Sequence, residues 1–220
     1  MTCRFRLLLA VVLLGGFEAR AATFVVNDPA DVSCPTCKYC DFGSCVGQPL
    51  TGCRRPTAAG ASRLALRQEM LKWRWTRGEE TGSDDFGDPT ATDDYALCIF
   101  EDSAGFPRLM HATPIPAGGT CGGEPCWTPL GTPPGDGGFR YDDVTGSQLG
   151  LESLLLKPGA EGRARITAKS RGAGLGLPPQ LDVDPPVTVQ LQREDGTCWE
   201  AYYTTPSVST DTRFKARSAP

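Results

Sequence analysis

The chain has 220 residues, with 22 lysines and arginines against 26 aspartates and glutamates, a formal net charge of −4 and a single histidine. Its basic residues form no run along the sequence. Affinity for nucleic acids or anionic membranes depends on clustered Lys and Arg, so neither is predicted as a partner. With His111 as the single histidine and no G-x-S-x-G motif, most zinc hydrolases and Ser-His-Asp enzymes are excluded, and no catalytic residue is predicted.

Residues 1–21 have the three parts of a secretory signal peptide. Arg4 and Arg6 supply the positive start, residues 7–17 form the apolar stretch, and an A-x-A cleavage motif ends at Ala21. The apolar stretch is too short to cross a bilayer. We therefore expect a secreted protein without a membrane span, located outside the cell, at its surface or in the periplasm.

Residues 22–60 are interpreted as a Cys-rich segment followed by a linker. The segment has few apolar side chains, so it needs cross-links or a metal to hold a shape. Its C-x2-C-x2-C-x4-C spacing permits disulfides, a four-thiolate zinc site or an iron–sulfur redox cluster, and export favours disulfides. No other cofactor is predicted. The four cysteines are Cys34, Cys37, Cys40 and Cys45.

Cleavage of the signal peptide removes Cys3, which leaves an odd number of the ten cysteines. An odd count in an exported protein predicts either one free thiol or a disulfide to another chain. The sequence therefore allows an intermolecular disulfide as one route to a partner.

Residues 61–217 contain short strand patterns separated by turns, which predict an antiparallel β-sandwich of the jelly-roll or immunoglobulin-like type. Within residues 71–75 apolar and basic side chains alternate, and this period of two favours a strand over a competing helix. The acidic residues 79–94 are interpreted as a solvated loop, with calcium ligation as the alternative. Further strands are predicted at residues 64–66, 95–102, 108–113, 138–143, 149–157, 162–170, 186–193 and 198–205.

Residues 118–127 combine glycines, a proline and two cysteines, which predicts a tight loop. The expected disulfides are Cys121–Cys126 within this loop and Cys98–Cys198 across the domain. From chain entropy the small ring contributes about 2 kcal/mol and the long one about 4.7 kcal/mol to stability. The long disulfide is therefore expected to dominate.

The candidate ligand-binding residues are Trp73, Trp75 and Trp127. Exposed aromatic rings on a β-sandwich stack against sugars or protein side chains, which predicts a glycan or a cell-surface protein as partner. The competing interpretation packs tryptophans into the core beside disulfides.

Acidic pairs offer the remaining enzymatic option, since two carboxylates can flank a glycosidic bond. Acidic residues at strand ends are usually solvated, and His111 is interpreted as a surface or hairpin residue, so we expect no enzyme. The acidic candidates are Glu101 with Asp102, Asp142 with Asp143, and Glu200.

Five motifs follow one another in the C-terminal part of the chain: LKWRWTRG, DFGDP, DYALCIFED, AGGTCGGEPCW and GTCWEA. In this order they resemble an uncharacterised domain of bacterial secreted proteins, over roughly residues 53–217. The resemblance implies a secreted β-rich module to which Cys53 belongs, and it brings no known activity, ligand or catalytic residue.

The sequence thus predicts a secreted, non-enzymatic module with a structural or adhesive role. One alternative is a carbohydrate-binding domain that uses exposed tryptophans. The other is a protein whose N-terminal cysteine cluster binds zinc or undergoes redox chemistry.

Overall fold

The structure, a computed structural model, describes residues 39–41, 44–103, 105–144 and 151–219. The predicted signal peptide lies outside these residues. Most of the described chain is antiparallel β-strand, accompanied by two 3-10 helices at Asp84–Phe86 and Ala173–Leu175. None of the described residues form a helix long and apolar enough to cross a membrane.

The strands, in chain order, are β1 (Tyr39–Asp41), β2 (Ser44–Val46), β3 (Ser62–Arg67), β4 (Met70–Gly78), β5 (Tyr95–Ser103), β6 (Phe106–Ile115), β7 (Thr120–Cys121), β8 (Glu124–Pro125), β9 (Trp127–Leu130), β10 (Gly138–Asp142), β11 (Leu151–Lys157), β12 (Ala164–Arg171), β13 (Val187–Arg193), β14 (Cys198–Tyr203), β15 (Pro206–Thr210) and β16 (Arg213–Arg217).

The larger sheet has eight strands in the order β15-β16-β3-β4-β12-β11-β10-β9. Strand β4 shows how the sequence builds it. Leu71, Trp73 and Trp75 are buried, whereas Lys72 and Arg74 between them are exposed. This period of two belongs to a strand with one face on a core, so the predicted strand is confirmed and the helix is wrong.

The smaller sheet has four strands in the order β14-β13-β5-β6, and its inner face shares one core cluster with the larger sheet. Trp73 Nε1 donates to Tyr203 Oη at 3.0 Å, and Trp75 Nε1 donates to the Glu200 carbonyl at 2.9 Å. Hydrogen bonds and apolar contacts therefore join the two sheets. The all-β prediction is confirmed, while the strand order does not identify a jelly-roll or immunoglobulin-like type.

Cys198 forms a disulfide with Cys53, so the expected Cys98–Cys198 disulfide is wrong. Cys98 lies on β5 and Cys198 on β14, and β13 runs between these strands. Two strand spacings alone separate them by about 9.6 Å, and Cys198 is also offset along the strands because it lies opposite Gln192 while Cys98 lies opposite Gln190. The separation exceeds the Cα distance that a disulfide spans. Cys98 is itself disulfide-bonded, but not to Cys198. The predicted Cys121–Cys126 disulfide is present.

The segment before β3 packs against the outer face of the smaller sheet. Gly47 lies so close to Leu109 that an added Cβ would come within 2.6 Å of the leucine Cβ. The Gln190 amide exchanges hydrogen bonds with the backbone N–H and carbonyl of Leu50, at 2.9 and 2.8 Å. Arg54 then pairs in parallel with Trp199 at the edge of β14. The linker predicted up to residue 60 is therefore partly integrated into the fold.

Candidate functional site

The tryptophans proposed as ligand-binding residues are buried. Trp73 and Trp75 are 0% exposed and Trp127 is 3% exposed. The Trp127 ring lies edge-on to the Tyr141 ring, with 5.2 Å between the ring centroids. Its Nε1 donates a hydrogen bond to the Pro116 carbonyl at 2.9 Å. The expectation of exposed tryptophans is wrong because alternation along each strand turns these rings into the core. These three tryptophans are therefore not available to stack against a glycan.

The glycine-rich loop 118–127 is a small hairpin of β7 and β8 closed by the Cys121–Cys126 disulfide. Gly119 has a φ of +80°, and an added Cβ there would lie 3.3 Å from the Cys126 sulfur. Glycine at this position therefore permits both the turn and the close approach to the disulfide. The loop positions Trp127 in the core, which is a structural role.

The acidic residues interpreted as solvated are largely buried. Glu101 is 1% exposed and forms an ion pair with Arg108. Glu200 is 6% exposed; it accepts a hydrogen bond from Arg55 at 2.5 Å and one from the Gln190 amide at 2.8 Å. The expectation of solvation is wrong because each of these carboxylates has a basic partner that offsets the cost of burial.

His111 lies on the inner side of β6 and is 8% exposed, so its interpretation as a surface residue is wrong. Its Nε2 shares a hydrogen bond of 2.7 Å with Thr113 Oγ1. Burial lowers the pKa of the imidazole to about 4, because the charged form loses its hydration. The ring is therefore neutral at pH 7.

We expect the free energy of unfolding to fall by about 3 kcal/mol between pH 6.5 and pH 4 through His111 alone. In this window the unfolded chain binds a proton that the native state does not, because the pKa of His111 is lowered in the folded protein. The measurement is urea unfolding of the wild type and His111→Gln between pH 7 and pH 4. Parallel pH profiles for the two proteins would contradict the expectation.

The acidic segment 79–94 is a loop in which most acidic side chains are exposed, as predicted, and it contains one ordered turn. The Asp85 carboxylate accepts hydrogen bonds from Arg54 Nη2 and from the Gly82 N–H, both at 2.7 Å. Phe86 is fully buried and stacks on Trp199 at 5.1 Å between ring centroids. The Asp85 carboxylate is thus committed to holding the turn.

No group of three or more His, Cys, Asp or Glu side chains within the described ranges is arranged to hold a metal. Cys34 and Cys37 lie outside those ranges. Cys40 and Cys45 occupy opposite positions in the hairpin of β1 and β2. The zinc or redox interpretation of the four cysteines stays a prediction.

The outer face of the larger sheet gathers basic residues from six adjacent strands. The period of two that buries one face places alternate lysines and arginines on the other. More than half of the 22 lysines and arginines of the chain lie here. They are Arg213, Lys215 and Arg217 on β16, Arg63 and Arg67 on β3, Lys72 and Arg74 on β4, Arg165, Lys169 and Arg171 on β12, Lys157 on β11 and Arg140 on β10.

The strand register sets these basic residues directly opposite one another. Arg63 lies between Arg217 of β16 and Arg74 of β4, and we call these three residues the arginine row. Lys72 lies opposite Lys169 of β12, and we call these two the lysine pair. Opposed residues have Cβ atoms about 5 Å apart, and like charges at this distance destabilise a sheet. The arrangement therefore costs stability.

All five residues of the arginine row and the lysine pair are exposed, and none takes part in a salt bridge within the described chain. On the same face, Arg140 pairs with Asp142 at 2.5 Å and Arg171 approaches Glu152 at 4.0 Å. The other salt bridges involve residues outside this face. Within the described chain, a protein with a net negative charge thus carries a broad surface with a large excess of positive charge.

The sequence does not show this surface as a run of consecutive basic residues, because its lysines and arginines alternate with other residues along each strand. The usable signal was the spacing of basic residues at every second position, as in Lys72 and Arg74 or Lys215 and Arg217. Comparisons of the chain with protein-family models, curated proteins and solved structures find no match. The resemblance to a family of bacterial secreted domains therefore stays a prediction.

Proposed function

We propose that this protein is an exported, non-enzymatic module that attaches to anionic polymers through the basic face of its larger sheet. The observation that carries the proposal is the arginine row, in which three exposed arginines oppose one another without a carboxylate partner in the described chain. Such repulsion lowers stability, and violations of local folding rules in natural proteins are expected mainly at functional or strained sites. A bound polyanion would neutralise these charges and release counterions.

The disulfides support export. Cys53–Cys198 and Cys121–Cys126 are both formed, and such bonds persist in oxidising compartments outside the cytosol. We infer that the two sheets form a β-sandwich, since their inner faces share one core. In this arrangement the smaller sheet and its covering segment lie on the far side, and the arginine row and the lysine pair are exposed in the part of the chain that the structure describes.

The contacts of the candidate catalytic groups favour binding over catalysis. Glu101 forms an ion pair with Arg108, and the His111 ring shares a hydrogen bond with the Thr113 hydroxyl. Glu200 is held by basic and amide donors at the edge of the smaller sheet. Each of these groups is engaged in holding the fold, whereas the arginine row and the lysine pair form no salt bridge within the described chain.

The test neutralises the lysine pair with Lys72→Gln and Lys169→Gln. Binding to immobilised heparin is measured at several salt concentrations. The variant should bind at least tenfold more weakly at low salt, and the slope of log affinity against log salt should become shallower by roughly 2, about one unit for each lost contact.

A matched control gives the same change in net charge on the smaller sheet, through Phe106→Glu and Tyr202→Glu at sites that are 76% and 45% exposed. The control should retain most of the affinity. Equal losses in both variants would show that overall charge, and not the basic face, determines binding, and this would refute the proposal.

A further inference from the structure

We infer that the polymer bound by the basic face is an acidic polysaccharide carrying carboxylate or sulfate groups, and that it lies across the strands along the arginine row. This inference rests on the proposed function and names its ligand class. It follows from the type of basic residue, from the groups between the charges and from the aromatic groups that the face lacks.

The arginine row provides a line of planar donors. Each guanidinium can donate two parallel hydrogen bonds to a carboxylate or sulfate, which the point charge of a lysine does not provide. Arg217, Arg63 and Arg74 stand on consecutive strands, about 4.8 Å apart, on a line perpendicular to the strands. An extended chain with repeated single charges fits this line.

Short hydroxyl side chains lie next to the arginine row and the lysine pair. Thr167 of β12 lies opposite Arg74, and Ser153 of β11 lies opposite Lys169. Both are half-buried, so their hydroxyls lie low on the surface beside the charges. A hydroxyl both donates and accepts hydrogen bonds, which suits the hydroxyl groups of a sugar.

The basic face lacks the aromatic groups that single-stranded nucleic acids require. Such sites combine positive charge with aromatic rings on which bases stack. In β10, Phe139 and Tyr141 turn into the core, and Arg140 between them faces outward. The described outward positions of the central strands β3, β4 and β12 hold no aromatic residue. A broad sheet also offers no single element that would enter a duplex groove.

An anionic membrane is disfavoured by the same surface. Peripheral membrane binding usually adds apolar side chains that enter the lipid beside the basic residues. Among the described residues, the exposed large apolar side chains are Phe106, Tyr202 and Val144. The first two belong to the smaller sheet, and Val144 follows the end of β10. None of the three belongs to the arginine row or the lysine pair.

The test compares five probes at one salt concentration: polygalacturonate, dextran sulfate, neutral dextran, poly(dT) and vesicles of anionic phospholipid. We expect binding to polygalacturonate or dextran sulfate at least tenfold tighter than to the other three, and the two acidic polymers distinguish carboxylate from sulfate. Tighter binding to poly(dT) would overturn the inference and leave the proposed function standing, whereas tighter binding to vesicles would overturn both. Binding to none of the charged probes would overturn both.

A second variant separates arginine recognition from charge. Arg63→Lys, Arg74→Lys and Arg217→Lys together keep every charge and remove the guanidinium forks. We expect affinity for the preferred acidic polysaccharide to fall at least tenfold, while the thermal unfolding midpoint stays close to that of the wild type. An unchanged affinity would overturn the assignment of the arginine row.

Discussion

Replacing Cys53 and Cys198 with serine should lower the free energy of unfolding by at least about 5 kcal/mol. The disulfide joins residues 145 positions apart, so its removal restores a large conformational freedom to the unfolded chain. This is comparable to the whole stability of many domains. Urea unfolding of the oxidised wild type and the double variant, followed by tryptophan fluorescence, measures the difference, since Trp199 is adjacent to Cys198 and fully buried.

The same disulfide holds a buried charge in place. Next to it, the Arg54 N–H donates to the Cys198 carbonyl at 2.9 Å, and the Glu200 N–H donates to the Arg54 carbonyl at 2.8 Å. Arg55 then reaches the Glu200 carboxylate. If this strand pairing loosens, Glu200 loses its basic partner Arg55. The decrease in the free energy of unfolding should therefore exceed what chain entropy alone provides.

The short disulfide is the matched control. Cys121 and Cys126 are 5 positions apart, so their replacement by serine should cost only about 2 kcal/mol. A larger loss from the short ring than from the long one would contradict the importance assigned to Cys53–Cys198.

Strands could be predicted wherever apolar residues recur at every second position. In β12, Ala164, Ile166 and Ala168 alternate with polar residues and are fully buried, as the pattern indicates. The strands β15 and β16 carried too weak a signal. Strand β15 has no large apolar residue except Val208, and β16 has only Phe214 and Ala216. Their pairing with β3 and with each other, which is a tertiary effect, makes them strands.

Features that depend on which strands are neighbours could not be predicted. The pairing of Cys198 with Cys53 requires the incoming segment to lie beside β14, and nothing local in the sequence indicates this. The basic face has the same origin. Residues 63, 74 and 217 are distant in the chain, and they meet because β3 lies between β16 and β4.

The Arg63→Glu variant should change stability and ligand affinity in opposite directions. Arg63 has an arginine directly opposite on each side, so a glutamate there converts two repulsive pairs into two attractive ones. We expect a gain of about 1 kcal/mol in the free energy of unfolding. We also expect at least a tenfold loss of affinity for an acidic polymer, because the middle of the arginine row changes sign.

Urea unfolding and a binding titration on the same sample measure both effects, with Phe106→Glu and Tyr202→Glu as the variant of equal net charge. A stabilised protein that binds less cannot owe its loss to unfolding. If Arg63→Glu is instead less stable than the wild type, the arginines do not repel one another as the register indicates. If it binds as well as the wild type, the arginine row is not the site. The expected combination would mean that the arginine row contributes to ligand binding at the expense of the stability of the fold.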